Sequence, residues 1–321
     1  MLSAETIEKK SILNDFKPIE FYEFYVDLQV FDRSIRIYLS SKDESTQRFK
    51  DTYSFLKNYM SYFPLKKNSI DYEIFYQFAK NDLSSDSHRL WNDPSYEFYK
   101  WQEKEWVNIV QRDFIGKVHS SEKKIYALGP YFSEKNPDPI DNLMMASMMR
   151  ILPPKKALAL HCATVEVNNE CYVFFGASGA GKSTLAMKSI ADHGLRILGG
   201  DQVYLQIEHG EIFASPTTTT IYKIPRNAKS WCAEKRKVKG IFHLVQKPGT
   251  FKLNEISENN FLKFFLKETI MWSEFTLSNH LLDIAMNISM NQTIHKGEVS
   301  YNLNEPFWPK LLKRLSEKDL E

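Results

Sequence analysis

In the first half of the chain, hydrophobic positions alternate with polar ones over short stretches, which is typical of β-strands. The pattern predicts a strand over Phe21–Val30 and its hairpin partner over Ile35–Leu39. Residues 44–59 instead place aromatic and apolar side chains near helical spacing and predict a helix. Further strands are predicted at Tyr72–Phe78, Trp106–Val110 and Lys124–Leu128. We therefore expect a strand-rich α+β domain over residues 1–137.

The pattern changes after the break at Asn136-Pro137-Asp138-Pro139, where a helix is predicted to begin and to run to about Leu152. From there strands and helices alternate, with a turn at Asn168-Asn169 and a helix end at Gly194. Strands are predicted at Ala157–Val167, Cys171–Phe175, Leu195–Leu198, Val203–Ile207 and Glu211–Ala214, and a helix at Lys182–His193. This order predicts an α/β domain over residues 138–321.

Composition and charge narrow the function classes. The 321 residues are 43% hydrophobic and 26% charged, which fits a globular protein with a core. A net charge of +2 gives no electrostatic footprint for nucleic acid or an anionic membrane. The charged first residues do not form a signal peptide, and no stretch is long and apolar enough to span a bilayer. The three cysteines match no zinc pattern or disulfide framework, so we expect a cytoplasmic protein.

A glycine-rich motif lies between the strand ending at Phe175 and the helix beginning at Lys182, which is the context that a phosphate-binding P-loop requires. Its glycines let several N–H groups face phosphate oxygens, and the helix N-terminus adds partial positive charge. Lys182 is predicted to reach the β- and γ-phosphates, and Ser183 to bind Mg²⁺. The motif comprises Gly176, Ala177, Ser178, Gly179, Ala180, Gly181, Lys182, Ser183 and Thr184. It predicts binding of ATP or another nucleoside triphosphate together with Mg²⁺.

Two more residues are candidates for the same site. Asp201 follows the strand Leu195–Leu198, and a carboxylate at such a strand end can complete a magnesium site beside a P-loop. His161 lies on the strand before the P-loop strand, where a lone histidine is more often structural than functional.

These residues resemble a known family. Leu160-His161, the Asn168-Asn169 turn, the P-loop, His193-Gly194 and Gly200-Asp201 are similar to the catalytic domain of HPr kinase/phosphorylase, whose fold resembles the ATP-binding part of phosphoenolpyruvate carboxykinase. The resemblance extends over about residues 140–313 and is specific only over residues 161–201. Residues 1–137 look more like the leader domain of divergent HPr-kinase-like proteins.

The resemblance implies an ATP-dependent kinase that transfers phosphate to a hydroxyl, that of a serine in a peptide or small protein. It places Lys182 and the loop amides on ATP, Ser183 and Asp201 on Mg²⁺, and His161 near the phosphates. One departure affects catalysis, because the family has two consecutive aspartates and the first, its expected general base, is Gly200 here. Asp201 could serve both roles, or another carboxylate such as Glu166 could enter, or the protein could bind ATP and transfer nothing.

The basic residues that follow the P-loop and Asp201 do not identify the phosphoryl acceptor. Arg226 could contact phosphate or substrate, or be a solvated arginine, and the run Lys235-Arg236-Lys237 could attract an acidic protein. Three functions therefore remain: a serine kinase for a peptide or protein, a nucleotide-responsive binding module without turnover, and a small-molecule kinase. Residues 1–137 could recognise a leader peptide, support a homo-oligomer or cap the sheet.

Overall fold

The computed structural model divides the chain into two compact units, residues 1–147 and 148–321. It describes residues 23–30, 33–41, 46–66, 69–78, 99–103, 106–110, 114–119, 123–133, 137–151, 156–217, 229–246, 251–270, 275–302 and 305–318. The division falls inside a helix, whereas the sequence predicts a domain boundary after residue 137, which stays a prediction.

The first unit is built on a mixed sheet of seven strands. The strands are β1 (Phe24–Val30), β2 (Arg33–Ser40), β3 (Tyr72–Phe78), β4 (Tyr99–Glu103), β5 (Trp106–Val110), β6 (Ile115–His119) and β7 (Lys124–Gly129). Their order across the sheet is β1-β2-β3-β7-β6-β5-β4, with β1 and β2 as the predicted antiparallel hairpin and β3 parallel to β2 and β7.

Helix α1 (Gln47–Met60) follows β2 and begins at Thr46, whose hydroxyl accepts a hydrogen bond from the Phe49 N–H. It buries Phe49 and Leu56, while alternate strand residues such as Ile37 and Ile74 are also fully buried. This alternation is why the hydrophobic pattern predicts the strands. Helix α2 (Asp138–Ile151) contains the division between the units.

The second unit contains an eight-stranded sheet. Its strands are β8 (Ala157–Val167), β9 (Glu170–Phe175), β10 (Arg196–Gly199), β11 (Gln202–Glu208), β12 (Glu211–Pro216), β13 (Arg236–Val245), β14 (Lys252–Asn254) and β15 (His295–Ser300). Its helices are α3 (Lys182–His193), α4 (Glu258–Glu268), α5 (Phe275–Met290) and α6 (Phe307–Lys318). Five of the strands pair in a closed ring, in the order β8, β11, β12, β13 and β9.

Strand β8 pairs with β9, β10 and β11, and all of its residues are buried except His161. Its near-continuous apolar sequence is the pattern of a fully buried strand. The Asn168-Asn169 turn joins it to β9, and both residues have the positive φ angles, 53° and 66°, of a tight hairpin turn. Gly194, at φ 62°, ends α3 as the sequence predicts.

These elements confirm the predicted fold class, which is α/β with a second strand-rich region before the P-loop. None of the helices in the described ranges has the length and the apolar character needed to cross a membrane.

Candidate active site

The P-loop leaves the end of β9 and enters α3 through backbone that only glycine adopts readily. Gly176, Gly179 and Gly181 have φ angles of 154°, 81° and 93°. A Cβ added at Gly176 would lie 2.4 Å from the backbone oxygen of Leu244, on the neighbouring strand β13. The first residue of the loop therefore packs closely against strand β13. This contact positions the N-terminus of α3 over the strand ends.

Lys182 is the first residue of α3 and curls back over the loop. Its side chain is buried, and Nζ donates hydrogen bonds to the backbone oxygens of Gly176, at 2.5 Å, and of Ala177, at 3.2 Å. A buried ammonium needs such partners. Ser183 and Thr184 follow on the exposed side of the first turn. The charge of Lys182 is therefore held next to the loop amides.

Strand register brings His161 and Asp201 to the same place. Cys162 on β8 pairs with Phe175, the last residue of β9, and His161 pairs with Gln202, the first residue of β11. The Cys162 N–H also donates to the backbone oxygen of Asp201, at 3.0 Å. Both predicted residues consequently lie beside the end of β9, where the P-loop begins.

The His161 ring lies between two carboxylates. Nε2 is 3.1 Å from Oδ1 of Asp201, and Nδ1 is 3.1 Å from Oε2 of Glu268 at the end of α4. The side chains of Asp201 and His161 are 49% and 35% exposed, against 15% for Glu268. The group is therefore open to a ligand on the Asp201 side and closed on the Glu268 side.

Sequence reasoning did not find Glu268. It is 107 residues from His161 along the chain and is the last residue of a helix, with no motif around it. The one local signal is its position, because a carboxylate in the last helical turn lies at the negative end of the helix dipole, where it is unfavourable.

Electrostatics keep Asp201 ionised. The hydrogen bond from His161 lowers the pKa of the Asp201 carboxyl below its ordinary value, against the opposing effect of burial. The positive charge of Lys182 lowers the pKa further. An ionised carboxylate beside a fixed cation is suited to holding a metal that bridges phosphates.

Glu166, the other candidate carboxylate, lies five positions beyond His161, near the C-terminal end of β8. It pairs with Cys171, four positions before Phe175 on β9, so it is roughly 13 Å along the strand from the P-loop. Its carboxylate binds Arg196 and Arg236 and is 5% exposed. The geometry therefore does not support Glu166 as the replacement for the carboxylate that Gly200 lacks.

Arg226 lies outside the described residues. The nearby basic run is described, and its lysines form surface ion pairs: Lys235 with Glu208, at 2.6 Å, and Lys237 with Glu211. Both pairs are exposed enough to be weak. The run therefore has acidic partners within the chain itself.

The residues fit a nucleotide and Mg²⁺. The loop presents main-chain N–H groups through glycines whose φ angles a side chain would strain, and Lys182 is already held beside them. Ser183 and Asp201 offer a hydroxyl and a carboxylate, which are the oxygen ligands that Mg²⁺ prefers. The predicted roles of these residues remain predictions, but the structure places all of them at one end of the sheet.

Comparison with known proteins gives one family match. The family model described as phosphoenolpyruvate carboxykinase matches residues 81–216, a stretch that contains the P-loop, His161 and Asp201 but not Glu268. Among solved structures, the HPr(Ser) kinase/phosphatase from Coxiella burnetii is similar at 11% identity, over 50% of this chain and 95% of that chain. Its TM-score of 0.27 is too low to support a conclusion. No curated protein matches.

The family match begins at residue 81, earlier than the start near residue 140 that the sequence motifs predict. It therefore includes part of the first unit as well as the P-loop. Over residues 81–216 the chain is similar to the phosphoenolpyruvate carboxykinases, which confirms the predicted resemblance to P-loop domains of the HPr kinase/phosphoenolpyruvate carboxykinase type.

Proposed function

We propose that this protein is an ATP-dependent phosphotransferase with a hydroxyl acceptor. The observation that carries the proposal is the convergence of Lys182, Asp201 and His161 at the strand ends where the P-loop begins. The family match supports the use of a nucleotide, since it contains all three residues. Phosphoryl transfer needs positioning and charge more than covalent chemistry, and these residues supply both.

Each residue has a defined part in this proposal. The loop amides and Lys182 bind the phosphates and offset the charge that develops on the transferred group. Ser183 and Asp201 would hold Mg²⁺, which when bound neutralises phosphate charge. Asp201 faces the open side of the site and can also take up the proton of the acceptor hydroxyl.

We propose a serine of a peptide or small protein as the acceptor. Its support is the resemblance between the sequence motifs and HPr-kinase-like proteins, together with the half-exposed carboxylate of Asp201, which a polypeptide hydroxyl could approach. A small-molecule kinase would use the same residues, so the acceptors tested must include free serine and other small alcohols.

The first experiment uses labelled ATP with protein, peptide and small-molecule acceptors. Lys182→Ala should lower transfer by about 10²–10³-fold, because the fixed charge beside the phosphates is lost. Lys188→Ala is the matched control, since Lys188 lies on the same helix and forms an exposed pair with Asp192. Wild type and the control should transfer equally. A folded wild-type protein that labels none of the acceptors would contradict the proposal.

The second candidate function is an ATP-binding module without turnover. Gly200 favours it, because the position where the family has its expected base carries no side chain. This alternative predicts ATP binding by calorimetry with no release of ADP. Steady ADP release that depends on Asp201 would reject it.

A further inference from the structure

Glu268 belongs to the same side-chain cluster as His161 and Asp201, although no sequence motif includes it. A carboxylate only accepts hydrogen bonds, so Nδ1 of His161 donates to Oε2 of Glu268 across 3.1 Å. The other ring nitrogen faces Asp201. Glu268 thus fixes which edge of the ring is directed at the predicted metal ligand.

The backbone around Glu268 is tied directly to the strand that carries His161. Helix α4 ends at Glu268, and the next residue, Thr269, forms an antiparallel bridge with Leu160. The Ile270 N–H then donates to the backbone oxygen of Ala159, at 2.9 Å. These two contacts hold the end of α4 against β8 at the positions just before His161.

Helix α4 is itself anchored in the core of the second unit. Phe261 and Phe265 are fully buried, and Thr269 Oγ1 donates to the backbone oxygen of Phe265, at 2.9 Å. The Glu268 side chain is only 15% exposed. Its carboxylate therefore has a fixed position, unlike the many exposed carboxylates on this surface.

This placement is unfavourable for the helix alone. The last turn of a helix carries the partial negative charge of the helix dipole, which repels a carboxylate. Asp201 adds a second carboxylate on the far side of the ring. A local role in helix stability therefore does not account for Glu268, whereas a role toward His161 does.

We infer that Glu268 is a positioning residue for the proposed phosphoryl transfer, holding the His161 ring so that Nε2 stays directed at Asp201. The turn Gly200-Asp201 contributes one carboxylate, and the second carboxylate of the site comes from the end of α4. The inference rests on the proposed function for its catalytic part, but the orientation of the ring can be measured without it.

The test compares Glu268→Ala and Glu268→Gln with wild type at one fixed pH. Loss of the carboxylate frees the ring to turn, so Glu268→Ala should lower kcat by about 10–100-fold, the usual effect of removing a partner that orients a site residue. The KM for ATP should stay within about twofold, because Lys182 and the loop bind the phosphates. Glu268→Gln should recover most of kcat, because its amide oxygen still accepts from Nδ1.

Nuclear magnetic resonance of ¹⁵N-labelled imidazole gives a readout that does not depend on turnover. The His161 ring signals, assigned with His161→Asn, should shift in Glu268→Ala and remain close to wild type in Glu268→Gln. Glu258→Ala is the matched control, since Glu258 is an exposed carboxylate in the first turn of the same helix. It should change neither the ring signals nor kcat.

The outcomes separate the two proposals. If Glu268→Ala keeps the wild-type ring signals and kcat, the positioning role is wrong. If Glu268→Gln is as slow as Glu268→Ala, ring orientation by a hydrogen bond is also rejected. If wild type transfers no phosphate while the ring signals shift as expected, the proposed function fails and the contact between Glu268 and His161 stands.

Discussion

The segment of strand β8 from His161 to Glu166 carries a cluster of charged side chains at each end, an open end at His161 and a closed end at Glu166. At one end, His161 lies between Asp201 and Glu268. At the other, Glu166 accepts hydrogen bonds from Arg196, at 2.7 and 2.9 Å, and from Arg236, at 2.6 Å. The same strand therefore supports both a candidate site and a buried ion cluster.

Burial distinguishes the two ends. Glu166 is 5% exposed and both of its oxygens are bound by guanidinium groups, so no ligand can reach the carboxylate without displacing an arginine. Asp201 is 49% exposed and uses one oxygen on His161. A cluster whose charged groups all pair with one another can hold strands together. A cluster that leaves a carboxylate exposed can bind a ligand such as a metal ion.

We expect the largest effect when Asp201, at the open end, is replaced, and the quantity affected is the rate of phosphoryl transfer. Asp201→Asn should lower phosphoryl transfer by about 10²–10⁴-fold, because the amide cannot take a proton and is a poor magnesium ligand. Folding stability should change by less than about 1 kcal/mol, since the carboxylate is half exposed. Transfer of label from ATP and a thermal melt measure the two quantities on one sample.

A control at the closed end sharpens that result. Arg196→Lys keeps a positive charge beside Glu166 but loses the paired guanidinium contacts. It should leave the rate of transfer per folded molecule at the wild-type value. Loss of transfer in this variant would mean that the two clusters on β8 are coupled, and the comparison would fail.

The next largest effect is on stability at the closed end. Glu166→Gln should lower the free energy of unfolding by about 3 kcal/mol, because it leaves two guanidinium groups beside a neutral side chain. Arg236 is 13% exposed and accounts for most of the loss, although it keeps the exposed carboxylate of Glu234 at 2.7 Å. Arg196, at 37%, is better solvated. Chemical denaturation followed by circular dichroism measures it.

Glu211→Gln is the matched control, since Glu211 pairs with Lys237 on the surface. Its effect should be within about 1 kcal/mol. Equal losses of unfolding free energy in Glu166→Gln and Glu211→Gln would show that burial of the Glu166 cluster contributes nothing to stability.

The local sequence predicts most of the elements that form the open end. Strand Ala157–Val167 and helix Lys182–His193 were predicted with the bounds that the structure has, because a continuous apolar run and flanking glycines determine them locally. The position of Asp201 at a strand end likewise followed from chain order.

The partners of these residues could not be predicted in the same way. Glu268 reaches His161 across 107 residues and Arg236 reaches Glu166 across 70, through packing that no local pattern encodes. Helix α5 was also missed, because its sequence mixes apolar residues with asparagine and serine rather than forming one clear apolar stripe. For Glu166, the sequence left its part in the site open, because the two arginines that bind its carboxylate are far from it along the chain.

The smallest expected effect is the pH dependence of stability at the closed end. Burial raises the pKa of the Glu166 carboxyl, but hydrogen bonds from Arg236 and Arg196 outweigh it and leave the pKa below its ordinary value of 4.5. A carboxyl with a lowered pKa in the folded state stabilises the protein at pH values above its unfolded pKa, and this contribution is lost as the pH falls through the folded value. The difference in unfolding free energy between wild type and Glu166→Gln should therefore be constant from about pH 6 to 8 and shrink below about pH 4.5. Denaturation curves at several pH values measure it, and a difference that persists unchanged in acid would show that the Glu166 charge does not hold this end of β8 closed.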